Sequence, residues 1–369
     1  MRMLVVSAQP QVISFDIVPK PEGAWEDPRI HYVLGDITDK ASVDAAVKGV
    51  DCVWHNAAAV GPFHPLALYD KVNYHGTLNV LDACKKYGVK RVVMSSSPST
   101  RFDGSDVDGL TEDQMPAIPM KSYLQAYAGS KARGEVAMRE ALADGLLTVA
   151  VAPHQVYGPR DNLFLPNLLE AGATGLLRVF SAGRTGYGRS RVCLTHVDNY
   201  AHGLIMACSA LYPGSPALGK FYIVTDGDTH PFKEGYAYLW DVIDEAVVSM
   251  GFASVYDKVK LPDWLLFPVA HACNVIGWLL GKRLKLNPFN VKMLTIHRWF
   301  RIDAAVKDLG YYPIVPFKDG WADCLAWTQQ HWLPKHMATR QGGITGIASQ
   351  SQRKIDIQAD SALKGKKSQ

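Results

Sequence analysis

The sequence predicts an α/β protein built on a parallel sheet, followed by a smaller mixed portion. Two observations carry that expectation. Short apolar runs rich in β-branched residues alternate with helical stretches, at Val12 to Ile17, Cys52 to His55, Arg91 to Ser95 and Leu147 to Ala152. Strands separated in this way by helices are the mark of βαβ units. After about Pro159 the alternation gives way to more frequent Gly and Pro and to the aromatic residues Tyr222, Phe232, Tyr236, Tyr238 and Trp240, which fits a separate substrate-binding portion.

Between the runs, Ser42 to Lys48 and Tyr74 to Tyr87 read as helices; the second carries Leu78, Leu81 and Ala83 on an apolar side and stops at Gly88, where a left-handed residue closes a helix without strain. The organisation expected is a sheet-forming portion over residues 1–158, a second portion over 159–336 and a polar, disordered tail over 337–369. One stretch stands apart. Trp264 to Leu280 is apolar except for His271 and Asn274, and Lys282, Arg283 and Lys285 follow it directly. With Pro268 inside, it falls short of the roughly 20 residues a membrane span needs. A helix lying in one leaflet with a basic flank is easier to build, and a buried hairpin over the substrate is the competing reading.

With 48% hydrophobic and 20% charged residues, the chain of 369 can bury a large core. A net charge of +4, from 39 basic and 35 acidic residues, is too small for a nucleic-acid footprint, and part of it sits in the tail at Lys364, Lys366 and Lys367. Six cysteines without a C-x-x-C pair indicate neither a metal site nor a disulfide framework. No secretory leader is recognisable at the N-terminus.

The strongest chemical signal is Tyr127-Ala128-Gly129-Ser130-Lys131, with Ser95, Ser96 and Ser97 ending an earlier strand. Residues four apart share a helix face, so Tyr127 and Lys131 project side by side. A free phenol, with a pKa near 10, is a poor base at neutral pH; an adjacent ammonium favours the phenolate. The expected division of labour is that Tyr127 takes a proton, Lys131 tunes it and Ser97 positions an alcohol.

Taken alone the Tyr and Lys spacing is weak, but it sits in a specific series. Gly35-Asp36-Ile37-Thr38-Asp39, His55-Asn56-Ala57-Ala58-Ala59, the run from Val72 to Val80, Tyr157-Gly158-Pro159-Arg160 and Thr195-His196-Val197-Asp198-Asn199 accompany it in order. From about Val12 to His331 the chain resembles the extended short-chain dehydrogenase/reductase family. Within it the chain is most similar to the 3β-hydroxysteroid dehydrogenase group and its decarboxylating sterol-4α-carboxylate 3-dehydrogenases, through Thr111-Glu112-Asp113, Pro153-His154 and Leu309-Gly310-Tyr311-Tyr312-Pro313.

That resemblance implies a Rossmann-like fold and NAD as cofactor. Asp16 would bind the adenosine ribose, its charge disfavouring a 2′-phosphate. Asp36 and Ile37 would flank the adenine; Asn56, Ala57 and Ala58 would line the cofactor; Pro153 and His154 would lie near the nicotinamide. Asn73 would brace the active-site helix, with Lys131 serving cofactor and catalysis together. Turn capping is the plainer role for Asp36 and Asn73. The implied reaction is NAD-dependent oxidation of a 3β-hydroxyl on a sterol-like substrate, with loss of CO2 where a carboxyl stands on C4. A flavonoid-type reductase, a nucleotide-sugar epimerase and a catalytically silent scaffold are the alternatives. A homodimer and, from Lys366 and Lys367, attachment to the cytoplasmic face of the endoplasmic reticulum membrane are further expectations, with a cytoplasmic protein as the other outcome.

One part of the pattern is missing. The family opens with a strand, a glycine-rich turn and a helix whose N-terminus meets the pyrophosphate. Here only Ala8, Gln9 and Pro10 separate Met3 to Ser7 from the next run, too few for a parallel crossover. The later Gly342, Gly343 and Gly346 follow no strand. The expectation is an incomplete chain or a variant that binds cofactor weakly or not at all. Ala152 stands where the family often has Arg.

Overall fold

The computed structural model describes residues 11–61, 64–175, 177–180, 186–279 and 286–340. They form two compact units, and the chain passes between them repeatedly. One unit holds the described chain up to Gln155 with Cys193–Tyr236 and Arg298–Phe317; the other holds Val156–Val192, Ala237–His297 and the described chain from Lys318. The two contiguous portions expected on either side of residue 158 are thus corrected. The chain leaves the first unit near that point but returns twice, because a late strand and helix complete its sheet and core.

In the first unit the elements are β1 (Val12–Asp16), β2 (Ile30–Leu34), α1 (Lys40–Val47), β3 (Cys52–His55), α2 (Gly76–Tyr87), β4 (Arg91–Ser95), β5 (Val107–Leu110), α3 (Ala126–Glu140), β6 (Leu147–Pro153), α4 (Val197–Ser209), β7 (Phe221–Val224), β8 (Arg298–Phe300) and α5 (Asp303–Leu309). Strands β7, β6, β4 and β3 pair in that order, all parallel. A parallel sheet is covered on both faces, and the side-chain alternation of β4 shows how. Val92 and Met94 join Val80, Leu81, Cys84 and Met138 on one face, while Val93 joins Val151, Leu204, Tyr222, Val224 and Tyr311 on the other. Tyr222, one of the aromatics that marked the change of pattern after about Pro159, is core of the first unit, 1% exposed, with its hydroxyl on Asp308 at 2.7 Å.

Strands β1 and β2 form a separate parallel pair. The sequence reading missed β2: its apolar and polar residues alternate weakly, and Val33 and Leu34 stay 37% and 65% exposed. In a doubly wound sheet of order 3-2-1-4-5-6, β2 and β1 hold positions three and two, and β3 holds position four. Position one, where the glycine-rich turn would follow, has no strand among the described residues.

The second unit carries an antiparallel pair, Arg191–Val192 with Ala237–Tyr238, and helices Leu165–Ala173 and Leu239–Ser249. These helices pack closely; a Cβ on Gly172 would meet Val247 Cγ2 at 2.7 Å. Trp240 is fully buried against Phe180. The apolar run forms the helix Asp263–Leu279, and no helix among the described residues is long and apolar enough to cross a membrane. Trp264 and Trp278 on it are 73% and 79% exposed. The tail expected from 337 starts too early, since a helix runs over Leu333–Arg340; the sequence reading undervalued the stack of Trp332 on His336. Residues 341–369, with the glycines and lysines noted there, lie outside the described residues.

Candidate active site

The site forms where β4 ends. Ser96 N–H donates to Val151 O at 2.7 Å, extending the ladder one residue. Ser97 then takes an extended conformation and caps a 3₁₀ turn over Pro98–Arg101, accepting from Ser99 N through its own hydroxyl. That cap leaves Ser97 partly exposed at the carboxyl edge of the sheet, the usual place for ligands in such folds.

Helix α3 brings Tyr127 and Lys131 to the same edge. Ser97 is near enough to the Tyr127 phenol to lower its pKa in part, so the two groups assigned to proton transfer and alcohol positioning lie close together. Lys131, 2% exposed, runs beneath them and donates from Nζ to Ser95 O at 2.5 Å. Lys131 is not among the groups that act on the Tyr127 phenol in this arrangement. Burial pushes Tyr127 up to about 12, the neighbouring Ser97 offsetting only part of the rise. Burial also brings Lys131 down to about 8, with Glu135 opposing. The reason is geometric: the ammonium is committed to the strand carbonyl.

Asn73 sits in a π-helical turn, Asp70–His75, that leads into α2. Such turns rotate a residue out of the regular helical register and recur at functional sites. Its carboxamide accepts from Ala59 N at 2.7 Å and donates to Ala59 O at 3.1 Å and to Ser130 Oγ at 3.0 Å. It thus joins the loop after β3 to the catalytic helix. Gly134 permits the contact, because a Cβ there would stand 2.8 Å from Asn73 O. Behind it, His55 Nε2 meets Thr77 Oγ1 at 2.8 Å.

The residues assigned to the cofactor fare unevenly. Asp16 is exposed at the end of β1, its Oδ1 accepting from Val18 N at 3.0 Å. Asn56 and Ala57 are exposed and Ala58 half-buried just after β3, and Pro153 ends β6. Asp36 caps its own turn, accepting from Thr38 N at 2.8 Å. Ile37 is 8% exposed and packs in the core, so its side chain is spent on holding α2. His154 is a brace: Nδ1 bonds Cys193 O at 2.8 Å, the ring stands edge-on to Phe300, and burial holds it near 3, neutral. Ala152 is fully buried.

Three contributors escaped the sequence reading. Tyr200 of α4 donates to Ser95 Oγ at 2.5 Å; no local spacing announces it, because it arrives from another part of the chain. Glu135 and Arg101 form a buried two-point ion pair beside Ser96. Glu135 was visible as the next residue on the Tyr127–Lys131 face.

A family model described as the 3-beta hydroxysteroid dehydrogenase/isomerase family matches residues 1–248. The 3beta-hydroxysteroid-dehydrogenase/decarboxylase isoform 2 of Arabidopsis thaliana is 32% identical over 79% of this chain and 51% of its own length. The chain therefore spans about half of that relative. The 2-alkyl-3-oxoalkanoate reductase of Stenotrophomonas maltophilia (strain K279a) is 30% identical over 84% of this chain and 89% of its own. Among solved structures, the crystal structure of gox2253 aligns over 89% of this chain and 93% of that one, with a TM-score of 0.65 and 24% identity, a likeness of fold alone.

Proposed function

Since the chain belongs to the 3-beta hydroxysteroid dehydrogenase/isomerase family, we propose that it oxidises a 3β-hydroxyl on a sterol-like substrate with NAD as the acceptor. The observation that carries this reading is the closeness of Tyr127 and Ser97 at the carboxyl edge of the sheet, with Lys131 Nζ on Ser95 O beside them. Tyr127, its phenolate favoured once the Lys131 charge turns toward it, takes the proton of an alcohol held by Ser97 as hydride departs from the carbon that bears the hydroxyl. Lys131, at about 8, offers a charge that can turn toward a bound ribose and the phenol once ligands fill the edge.

The residues fit the two ends of NAD. Asp16 is an exposed carboxylate for ribose hydroxyls, its Oδ1 also accepting from Val18 N, and exposed Asn56 and Ala57 with half-buried Ala58 border the path toward Ser97. The middle fits poorly. The helix whose N-terminus would meet the pyrophosphate follows position one of the sheet, where no strand lies among the described residues. Bound NAD supplies the hydride acceptor; the described chain supplies its ribose contacts and the proton machinery, without an amide cradle for the pyrophosphate.

Decarboxylation is the narrower form of the reading, supported by the name of the Arabidopsis thaliana relative. A ketone formed at C3 withdraws electrons from a neighbouring carboxylate-bearing carbon, so CO2 can leave. A second reading is ketone reduction on a 2-alkyl-3-oxo acid, with Tyr127 donating its proton; it is favoured by similarity over 89% of the Stenotrophomonas maltophilia reductase. Membrane attachment belongs to the same proposal, on the exposed face of the helix Asp263–Leu279.

NADH formation from a micellar 3β-hydroxysterol, with Tyr127→Phe as the inactive control, tests the reaction. Release of CO2 from the 4α-carboxysterol separates the two dehydrogenase forms, and NADH consumption with a 2-alkyl-3-oxo acid favours the reductase. A thermal shift with NAD discriminates a silent scaffold, because a ligand that binds only the folded chain raises its melting point. No NAD-dependent shift and no turnover reject the dehydrogenase reading.

A further inference from the structure

We propose that Glu135 is a positioning residue serving both arms of the site: its carboxylate holds the turn that presents Ser97, and its charge keeps the Lys131 ammonium in its seat. The inference deepens the reading of Tyr127 and Lys131 as the proton-transfer pair and rests on it.

The first arm is a set of bonds. Glu135 Oε2 accepts from Ser96 Oγ at 2.8 Å and from Arg101 Nη1 at 3.0 Å, while Oε1 accepts from Arg101 Nη2 at 2.5 Å. Thr100 Oγ1 approaches Oε2 at 3.4 Å. Ser96, Thr100 and Arg101 all belong to the segment that begins and ends the 3₁₀ turn after Ser97. The pair is buried, with side-chain exposures of 11% for Arg101 and 6% for Glu135, and Phe221 lies against the guanidinium at 3.8 Å. Both partners are thus fixed in a place where an ion pair is worth having only if its other valences are filled, and here they are filled by the Ser97 turn.

The second arm is charge. Glu135 lies one helical turn beyond Lys131, on the same face of α3. Around Lys131 the titratable groups come from every packed element. His55 at the end of β3 is held neutral, near 3, by burial and by Lys131 itself. Tyr127 on α3 and Tyr200 on α4 are phenols whose pKa burial raises. Glu135 is the group that opposes the desolvation of Lys131. Without it, the buried amine loses its proton more readily and its bond to Ser95 O weakens.

The test is a titration of the purified chain labelled with 13C at lysine Cε, assigned with Lys131→Met and followed without substrate. The parent should show a buried lysine titrating near 8. Glu135→Gln keeps the shape and removes the charge, and should move that midpoint down by roughly one pH unit. It should also speed amide hydrogen exchange at Ser99 to Phe102. If Glu135→Gln does not fold, Arg101→Met combined with Glu135→Gln leaves no unpaired charge and should show the same downward move. An unchanged midpoint, or unchanged exchange in the turn, overturns the proposal. A shifted midpoint with faster exchange upholds it even if no substrate is turned over, so failure of the dehydrogenase reading stays distinguishable.

Discussion

Tyr200 gives its phenolic hydrogen to Ser95 Oγ at 2.5 Å, and the main-chain oxygen of the same serine receives Lys131 Nζ at 2.5 Å. Helices α3 and α4 therefore meet on one residue at the end of β4. Tyr200→Phe removes a hydroxyl and keeps the ring. The expected result is a loss of about 1 kcal/mol, the usual net worth of one buried hydrogen bond, together with a several-fold lower turnover from a looser Lys131 seat. Urea unfolding checks the stability and NADH formation the turnover. Parent-like values in both would show that the contact contributes nothing.

Asn73 is satisfied through both ends of its carboxamide. In Asn73→Asp, an oxygen replaces the nitrogen that donates to Ala59 O and Ser130 Oγ. Acceptor then faces acceptor in a residue only 1% exposed, and a charge is buried without a counterion. A destabilisation of about 2–3 kcal/mol is expected, read as a lower urea midpoint with an unchanged slope. Asn73→Ala should cost less, because it leaves no opposed pair.

The local signals that the sequence displays openly are those with a short period. Strands β3, β4 and β6 are buried on both faces and read as continuous apolar runs, and Tyr127 and Lys131 are joined by one helical turn. Strand β2 was illegible because its outer residues stay in water and its inner ones are few. The roles of Tyr200 and Arg101 depend on α4 and the Ser97 turn arriving beside α3, which no spacing reveals. His154 misled for a related reason: its position at the end of a central strand suits a ligand, but β-strand and loop acceptors across the sheet edge claim both its ring and its amide.

Gly134 is where α3 and the Asn73 turn touch. A Cβ would fall 2.8 Å from Asn73 O, 3.1 Å from Thr77 Oγ1 and 3.2 Å from Met94 Cε. Backbone cannot yield as a side-chain end does, so Gly134→Ala must push the catalytic helix away from Asn73. A cost of about 1–3 kcal/mol is expected for such overpacking. Activity should fall further than stability at 25 °C, since Tyr127 and Lys131 ride on the displaced helix. Equal thermal midpoints for the two proteins would show that the helices separate freely.

Three of the buried histidines, His55, His154 and His230, shape the response to acid. Burial holds His55 and His154 near 3 and His230 near 4, against 6.5 in the unfolded chain. Below about pH 6.5 the unfolded chain binds protons that the folded chain refuses, so stability is full above that pH and is lost as pH falls toward 4 and 3. Each histidine contributes a slope of up to about 1.4 kcal/mol per pH unit in that window. Lys131 acts higher: with a folded value near 8 against 10.5 unfolded, its burial costs most below pH 8, and the cost is relieved as pH rises toward 10.5. Urea unfolding from pH 7 to 4 measures the first effect. His55→Gln should flatten the curve by one proton, and an unflattened curve rules the histidine out.

The helix Asp263–Leu279 turns Trp264, Val275, Ile276, Trp278 and Leu279 toward water, with exposures from 49% to 79%. The sequence sets Lys282, Arg283 and Lys285 directly after it. A wholly exposed tryptophan gains on the order of 2 kcal/mol or more when it leaves water, and each basic group adds about 1 kcal/mol at an anionic surface. Trp264→Ala with Trp278→Ala should therefore weaken sedimentation with phosphatidylserine-containing vesicles by at least tenfold, while leaving the far-ultraviolet circular dichroism unchanged. Salt should weaken binding of the parent as well, since the basic share is screened over about 10 Å at 0.1 M. A parent chain that stays in the supernatant with both anionic and neutral vesicles would reject membrane contact by this face.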